Sequence, residues 1–68
     1  MNIRTELNKR GLTNEELTSS TFNWREFFWM RDIEFTRRDR FLEISDHVPD
    51  WVIDELAKEI RTHIRSGN

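Results

Sequence analysis

The stretch that decides between two fold classes runs from Ile33 to Ser45 and reads IEFTRRDRFLEIS. In a helical interpretation Thr36 caps the helix, with Asp39 three residues later in the first turn. Phe41 and Leu42 then face inward, and the segment becomes one more short helix. On this interpretation the whole chain is helical.

The same stretch also fits a β-hairpin. That interpretation places four apolar side chains on one face by pairing Phe35 with Leu42 and Ile33 with Ile44. The four residues Arg37–Arg40 would then form the turn.

Two features count against the hairpin. The segment Arg37–Arg40 contains no glycine or asparagine to adopt positive φ. Glu34 would also lie opposite Glu43, and like charges directly opposite each other are destabilising. The sequence therefore favours the helix and predicts an all-α fold, a compact bundle of four or five short helices closed by a long C-terminal helix. The alternative is an α+β fold with a hairpin at about 33–45.

The closing helix spans about residues 49–65 and has the strongest pattern in the chain. Pro49 suits the first helical turn. An apolar stripe recurs at helical spacing and comprises Ile53, Leu56, Ala57, Ile60 and Ile64. Asp54 and Lys58 stand four residues apart, which predicts an ion pair within the helix.

Local start and stop signals define the helices before it. Residues 2–10 predict a short helix that ends at Gly11, a residue suited to the position after a C-cap. Thr13 and Glu16 form a capping box, so a second helix begins directly after Thr13. Residues 22–33, preceded by serines and threonines that serve as caps, predict a third helix that is apolar nearly all round.

Composition bounds the function classes. The chain has 68 residues, which predicts a single small helical domain over residues 1–68. It contains no cysteine and shows neither a signal peptide nor an apolar run that spans a bilayer, so a cytoplasmic location and no membrane partner are expected. Eleven basic and thirteen acidic residues give a net charge of −2, which argues against a nonspecific nucleic-acid binder.

Signals for catalysis are poor. His47 and His63 are far apart in sequence and match no metal-binding spacing. The chain has no glycine-rich phosphate loop and no nucleophile elbow, and a domain this small has little room for a ligand pocket. We therefore expect a protein that is not an enzyme and that has no cofactor, metal or small-molecule substrate.

The aromatic residues carry the functional hypothesis, because all five phenylalanines and three tryptophans lie between Phe22 and Trp51. Core packing explains Trp24, Phe27 and Phe28. A second helix face has no assigned partner in the core and predicts a protein-binding surface formed by Phe22, Trp29 and Ile33, with Arg37, Arg38 and Arg40 as a charged rim. If the core takes up all of these rings, no such surface exists.

These observations predict a small non-enzymatic binding module, a regulator or inhibitor that docks on another protein, with a homodimer as the other association. In size and composition the chain is similar to small phage or mobile-element proteins.

Residues 3–17, IRTELNKRGLTNEEL, resemble the first helices of helix-turn-helix regulators of the phage-repressor (Cro/C1) type. In that family a helix ends in a basic residue and glycine, and Leu-Thr leads into the next helix. The resemblance implies a DNA-binding transcriptional regulator as the alternative function. Its contact residues would be Asn23, Arg25, Arg31, Arg37 and Arg38. The following helix departs from the family pattern, since it is rich in Phe and Trp where a polar recognition helix is expected.

Overall fold

The computed structural model describes residues 1–38 and 41–66 and shows a mixed α+β fold. The elements in chain order are α1 (Ile3–Lys9), α2 (Asn14–Ser19), α3 (Trp24–Trp29), β1 (Phe35–Arg38), β2 (Phe41–Ile44) and α4 (Asp50–Arg65). The prediction of an all-α fold is wrong, because residues 35–44 contribute an antiparallel strand pair where a helix was favoured. The α+β alternative, with its hairpin at about 33–45, has the observed architecture.

The register of the hairpin differs from the anticipated one by two residues. Phe35 lies opposite Ile44, and Arg37 lies opposite Leu42. Glu43 therefore faces Thr36 instead of an acidic residue, which removes the like-charge pair that counted against a hairpin. The residues between the strands, 39 and 40, lie outside the described part of the chain, as do the side chains of residues 38 and 41.

Burial of one hairpin face explains why strands form here. Leu42 and Ile44 are 6% and 5% exposed, and Phe35, the partner of Ile44, packs against the same core. A helix over these residues would lose this alternation, since apolar residues two apart share one face only in a strand.

The outer edge of β2 is covered by the start of the chain. Asn2 bridges Glu43, and the Ile44 N–H donates to the carbonyl oxygen of Met1 at 3.0 Å. In the described part of the chain no strand lies on the outer edge of β1.

The predicted helix signals around Gly11 are confirmed. Gly11 has φ +95°, its N–H donates to the carbonyl of Asn8, and the N–H of Leu12 donates to the carbonyl of Leu7. This pair of hydrogen bonds is a Schellman motif, which ends α1 and turns the chain toward α2.

The capping box at α2 is also confirmed. The Thr13 hydroxyl accepts from the Glu16 N–H, while the Glu16 carboxylate accepts from the Thr13 N–H. The start of α2 is thus fixed by two residues three positions apart.

Helix α3 is shorter than the 22–33 predicted. It is capped by Asn23, whose Oδ1 accepts from the Glu26 N–H at 3.0 Å, and no serine or threonine does so. At its end Asp32 takes φ +54°, and the Ile33 N–H donates to the carbonyl oxygen of Phe28. The helix ends early because this second Schellman-type turn directs the chain into β1.

Helix α4 spans the predicted range and is the spine of one core to which every helix and the hairpin contribute. It buries Val52, Ile53, Leu56, Ala57 and Ile60. The other elements and their connections add Ile3, Leu7, Leu12, Leu17, Phe27, Phe28, Leu42 and Ile44. Among residues 1–38 and 41–66, no helix is both long and apolar enough to cross a membrane.

Candidate functional site

Trp29 is the most exposed of the large hydrophobic residues in the described chain. Its side chain is 76% exposed, whereas Phe27 and Phe28 on the same helix are 3% and 0% exposed. Successive residues on a helix differ by about 100°, so the burial of Phe28 against the core directs Trp29 outward. The Trp29 side chain is therefore accessible from solvent, and its assignment to a protein-binding surface stays a prediction.

The other aromatic rings divide less sharply than expected. Trp24, assigned to the core, is half-buried, and so is Phe22, assigned to the exposed surface. The Phe22 ring lies 6.3 Å from the Phe27 ring and meets His63 edge-on at 5.7 Å. Phe22 is thus a partly supported residue at the border of the core.

An open groove lies between α3 and the hairpin, and we call it the aromatic groove. Its volume is about 710 Å³. It is lined by Phe22, Asn23, Trp24, Arg25, Glu26, Trp29, Phe35, Arg37 and Leu42. The fold therefore brings together Phe22, Trp29 and Arg37 of the predicted protein-binding set.

A second groove, the acidic groove, lies on the other side of Trp29 and has a volume of about 910 Å³. Ile33 lies here, away from Phe22 and Arg37. Trp29 and Phe35 line both grooves. The acids of this groove are Asp32, Glu34, Glu43 and Asp46. In the described chain no group of three or more His, Asp or Glu side chains is placed to hold a metal ion.

Arg31 does not belong to either groove. Its guanidinium lies 3.7 Å from the centroid of the Phe27 ring, and Nη2 donates to the Glu59 carboxylate at 3.0 Å. Nη1 donates to the Phe27 carbonyl at 3.1 Å. These contacts connect α3 to α4, so Arg31 has a structural role in the fold.

The residues predicted for DNA contact are only partly brought together. Asn23, Arg25 and Arg37 line the aromatic groove, but the Asn23 side chain is engaged as the cap of α3. Arg31 is engaged by Glu59, as described above. Arg38 is the last residue of β1, and its side chain, like the whole of Arg40, lies outside the described residues.

Sequence reasoning left four residues of the aromatic groove out of the predicted binding sets, namely Trp24, Glu26, Phe35 and Leu42. Phe35 and Leu42 were assigned only to packing, although each alternates with a polar neighbour in a run of period two. That alternation predicts a strand with Phe35 and Arg37 on one face, and it was the signal in the sequence that could have placed Phe35 at the site.

Comparison with protein-family models, with curated proteins and with solved structures found no match. The resemblance of residues 3–17 to phage-repressor regulators stays a prediction.

Proposed function

We propose that this protein is a non-enzymatic docking module that regulates or inhibits another protein by binding it at the aromatic groove. The observation that carries the proposal is the exposure of Trp29 at the border of this groove. Tryptophan and arginine are the residues most enriched at binding hot spots, and Arg25 and Arg37 flank the same groove.

The surroundings of Trp29 support a binding role over a role in folding. A side chain with 76% exposure adds little to the core. The neighbouring Phe27 and Phe28 side chains are the ones that pack into the core at this part of α3. Half-buried rings of Phe22 and Phe35 give the groove an apolar floor that the core holds in place. Such a preformed apolar surface binds with little ordering cost.

The test uses a random peptide library displayed on phage and selected on the immobilised protein. We expect peptides that bind the wild type and the Trp51→Ala variant but not the Trp29→Ala variant. Trp51 is the matched control, because it is also an exposed tryptophan (65%) but lies on α4 and does not line either groove. If every recovered peptide binds all three proteins equally, the aromatic groove is not the docking site.

A further inference from the structure

Two arginines of the aromatic groove have no partner in the part of the chain that the structure describes. Arg25 lies on α3 and Arg37 on β1, and both side chains are exposed. Within residues 1–38 and 41–66, neither makes a hydrogen bond, an ion pair or a ring contact. Both charges are therefore available to a ligand in the groove.

Other arginines, by contrast, form hydrogen bonds that connect elements of the fold. Arg10 donates from Nε to the Asp54 carboxylate at 2.6 Å, and Arg31 donates to Glu59. Arg61 donates to the carbonyl oxygen of Arg10. Arg25 and Arg37 make no such contact with the described residues, so their charges are not neutralised beside the apolar groove.

The two sides of Trp29 differ in charge. The acidic groove carries four carboxylates, of which Asp46 pairs with the Met1 ammonium group at 2.9 Å, so negative charge still predominates there. In the aromatic groove Glu26 is the acid among the described residues, and it accepts a hydrogen bond from Asn23 at 3.4 Å. An anionic ligand is attracted to the aromatic groove and repelled from the other one. This asymmetry favours an anionic ligand in the aromatic groove even though the whole chain has a net charge of −2.

We propose that the aromatic groove binds an acidic segment of another protein, in which a bulky apolar side chain lies next to aspartate or glutamate. This inference rests on the proposed docking function and adds the chemistry of the partner. Phe35 and Arg37 lie on the same face of β1, about 7 Å apart by strand geometry. An apolar side chain packed between Phe35 and Trp29 leaves room for a carboxylate to form a bidentate pair with Arg37.

The experiment starts from an unbiased displayed peptide library selected on the wild type. We expect the recovered peptides to be enriched in aspartate and glutamate beside a bulky apolar residue. Those peptides are then synthesised with a fluorescein label, and their affinities are measured by fluorescence anisotropy. Replacement of both arginines, Arg25→Gln with Arg37→Gln, is expected to weaken binding about tenfold and to reduce its salt dependence.

The matched control removes two other cations, Lys58→Gln with Arg65→Gln. Both are exposed on α4 and have no bonded side-chain partner in the described chain, so the net charge changes equally at a distance from the groove. We expect this variant to bind like the wild type. Equal thermal unfolding of the two double variants shows that any loss of affinity is not a loss of folding.

Several outcomes would overturn the acidic partner. The acidic partner is rejected if the recovered peptides are neutral or basic. It is also rejected if the Arg25 and Arg37 double variant binds the peptides with unchanged affinity. Displacement of the labelled peptide by duplex DNA at physiological salt, with tighter binding than the peptide, assigns the arginines to nucleic acid. A dimer in sedimentation that hides Trp29 assigns the groove to a second copy.

Failure of this inference and failure of the docking function are distinguishable. Peptides that require Trp29 but not the two arginines reject the acidic partner and leave standing only a docking function beside Trp29, which lines both grooves. Peptides that require neither Trp29 nor the two arginines reject both the docking function and the acidic partner.

Discussion

Asp32 takes the left-handed backbone conformation at the end of α3, where glycine is the usual residue. We expect Asp32→Gly to raise the free energy of unfolding by about 0.5–1 kcal/mol, because an L side chain at positive φ is strained. Gly11→Ala is expected to lower it by about 1–2 kcal/mol for the same reason. An added Cβ at Gly11 lies 3.5 Å from Arg61 Nη2, which is an ordinary contact, so the cost comes from the backbone. Urea denaturation measures both, and a shift of the two variants in the same direction would contradict this account.

Glu16 gives the capping box a pH dependence. The Thr13 backbone N–H, and after it the Thr13 hydroxyl, hold the pKa of Glu16 below its usual value near 4.5, and the Arg61 charge acts in the same direction. Because the folded-state pKa is depressed, Glu16 stabilises the fold above the unfolded pKa, and this contribution is lost as pH falls through the folded pKa. Glu16→Gln keeps the capping geometry but not the charge. The difference in urea midpoint between wild type and variant should be constant near neutral pH and shrink below about pH 4.5. A difference that persists at strongly acidic pH would show that the carboxylate charge is not responsible.

At the scale of the element, adjacent residues of α3 serve different purposes. Phe28 is fully buried and contacts the Phe27 ring at 5.4 Å and the Phe35 ring at 6.1 Å, so it fixes α3 against the hairpin. Phe28→Leu is expected to lower the free energy of unfolding by about 1–2 kcal/mol, since it leaves a cavity. Trp29→Leu makes a comparable change one position later and is expected to stay within about 0.5 kcal/mol of the wild type. Thermal unfolding of the two variants compares them directly, and equal destabilisation would mean that Trp29 belongs to the core.

The elements also show what the sequence could predict. Helices α1, α2 and α4 follow from signals a few residues apart, such as the glycine after the C-cap and the capping box. The hairpin does not, because its stability depends on residues distant in the chain: Asn2 bridges Glu43, and Leu42 and Ile44 pack into a core formed by α1 and α4. For the same reason Asp54 bonds to Arg10 at 2.6 Å instead of to Lys58, the partner that spacing predicted. The exposure of Trp29 was predicted correctly, but the groove beside it depends on the strand pairing.

At the scale of the whole molecule, one core connects all the described elements, and α4 contributes to it along most of its length. Arg10 and Arg31 add ion pairs from α1 and α3 to α4. No described helix or strand has a core of its own, so we expect residues 1–66 to unfold in a single cooperative transition, with a urea m-value of about 1 kcal/mol per M for a chain this small.

Two probes test this cooperativity. In a variant with Trp29→Phe and Trp51→Phe, the fluorescence comes from Trp24, which is half-buried at the start of α3 and lines the groove between α3 and the hairpin. Far-UV circular dichroism is dominated by the helices, of which the 16-residue α4 is the longest. The two unfolding curves should coincide, because the rings of α3 pack on the same core as α4. A fluorescence midpoint at lower urea would show instead that α3 and the hairpin open as a separate unit. The aromatic groove would then be the least stable part of the molecule, and its binding energy would have to offset the cost of ordering it.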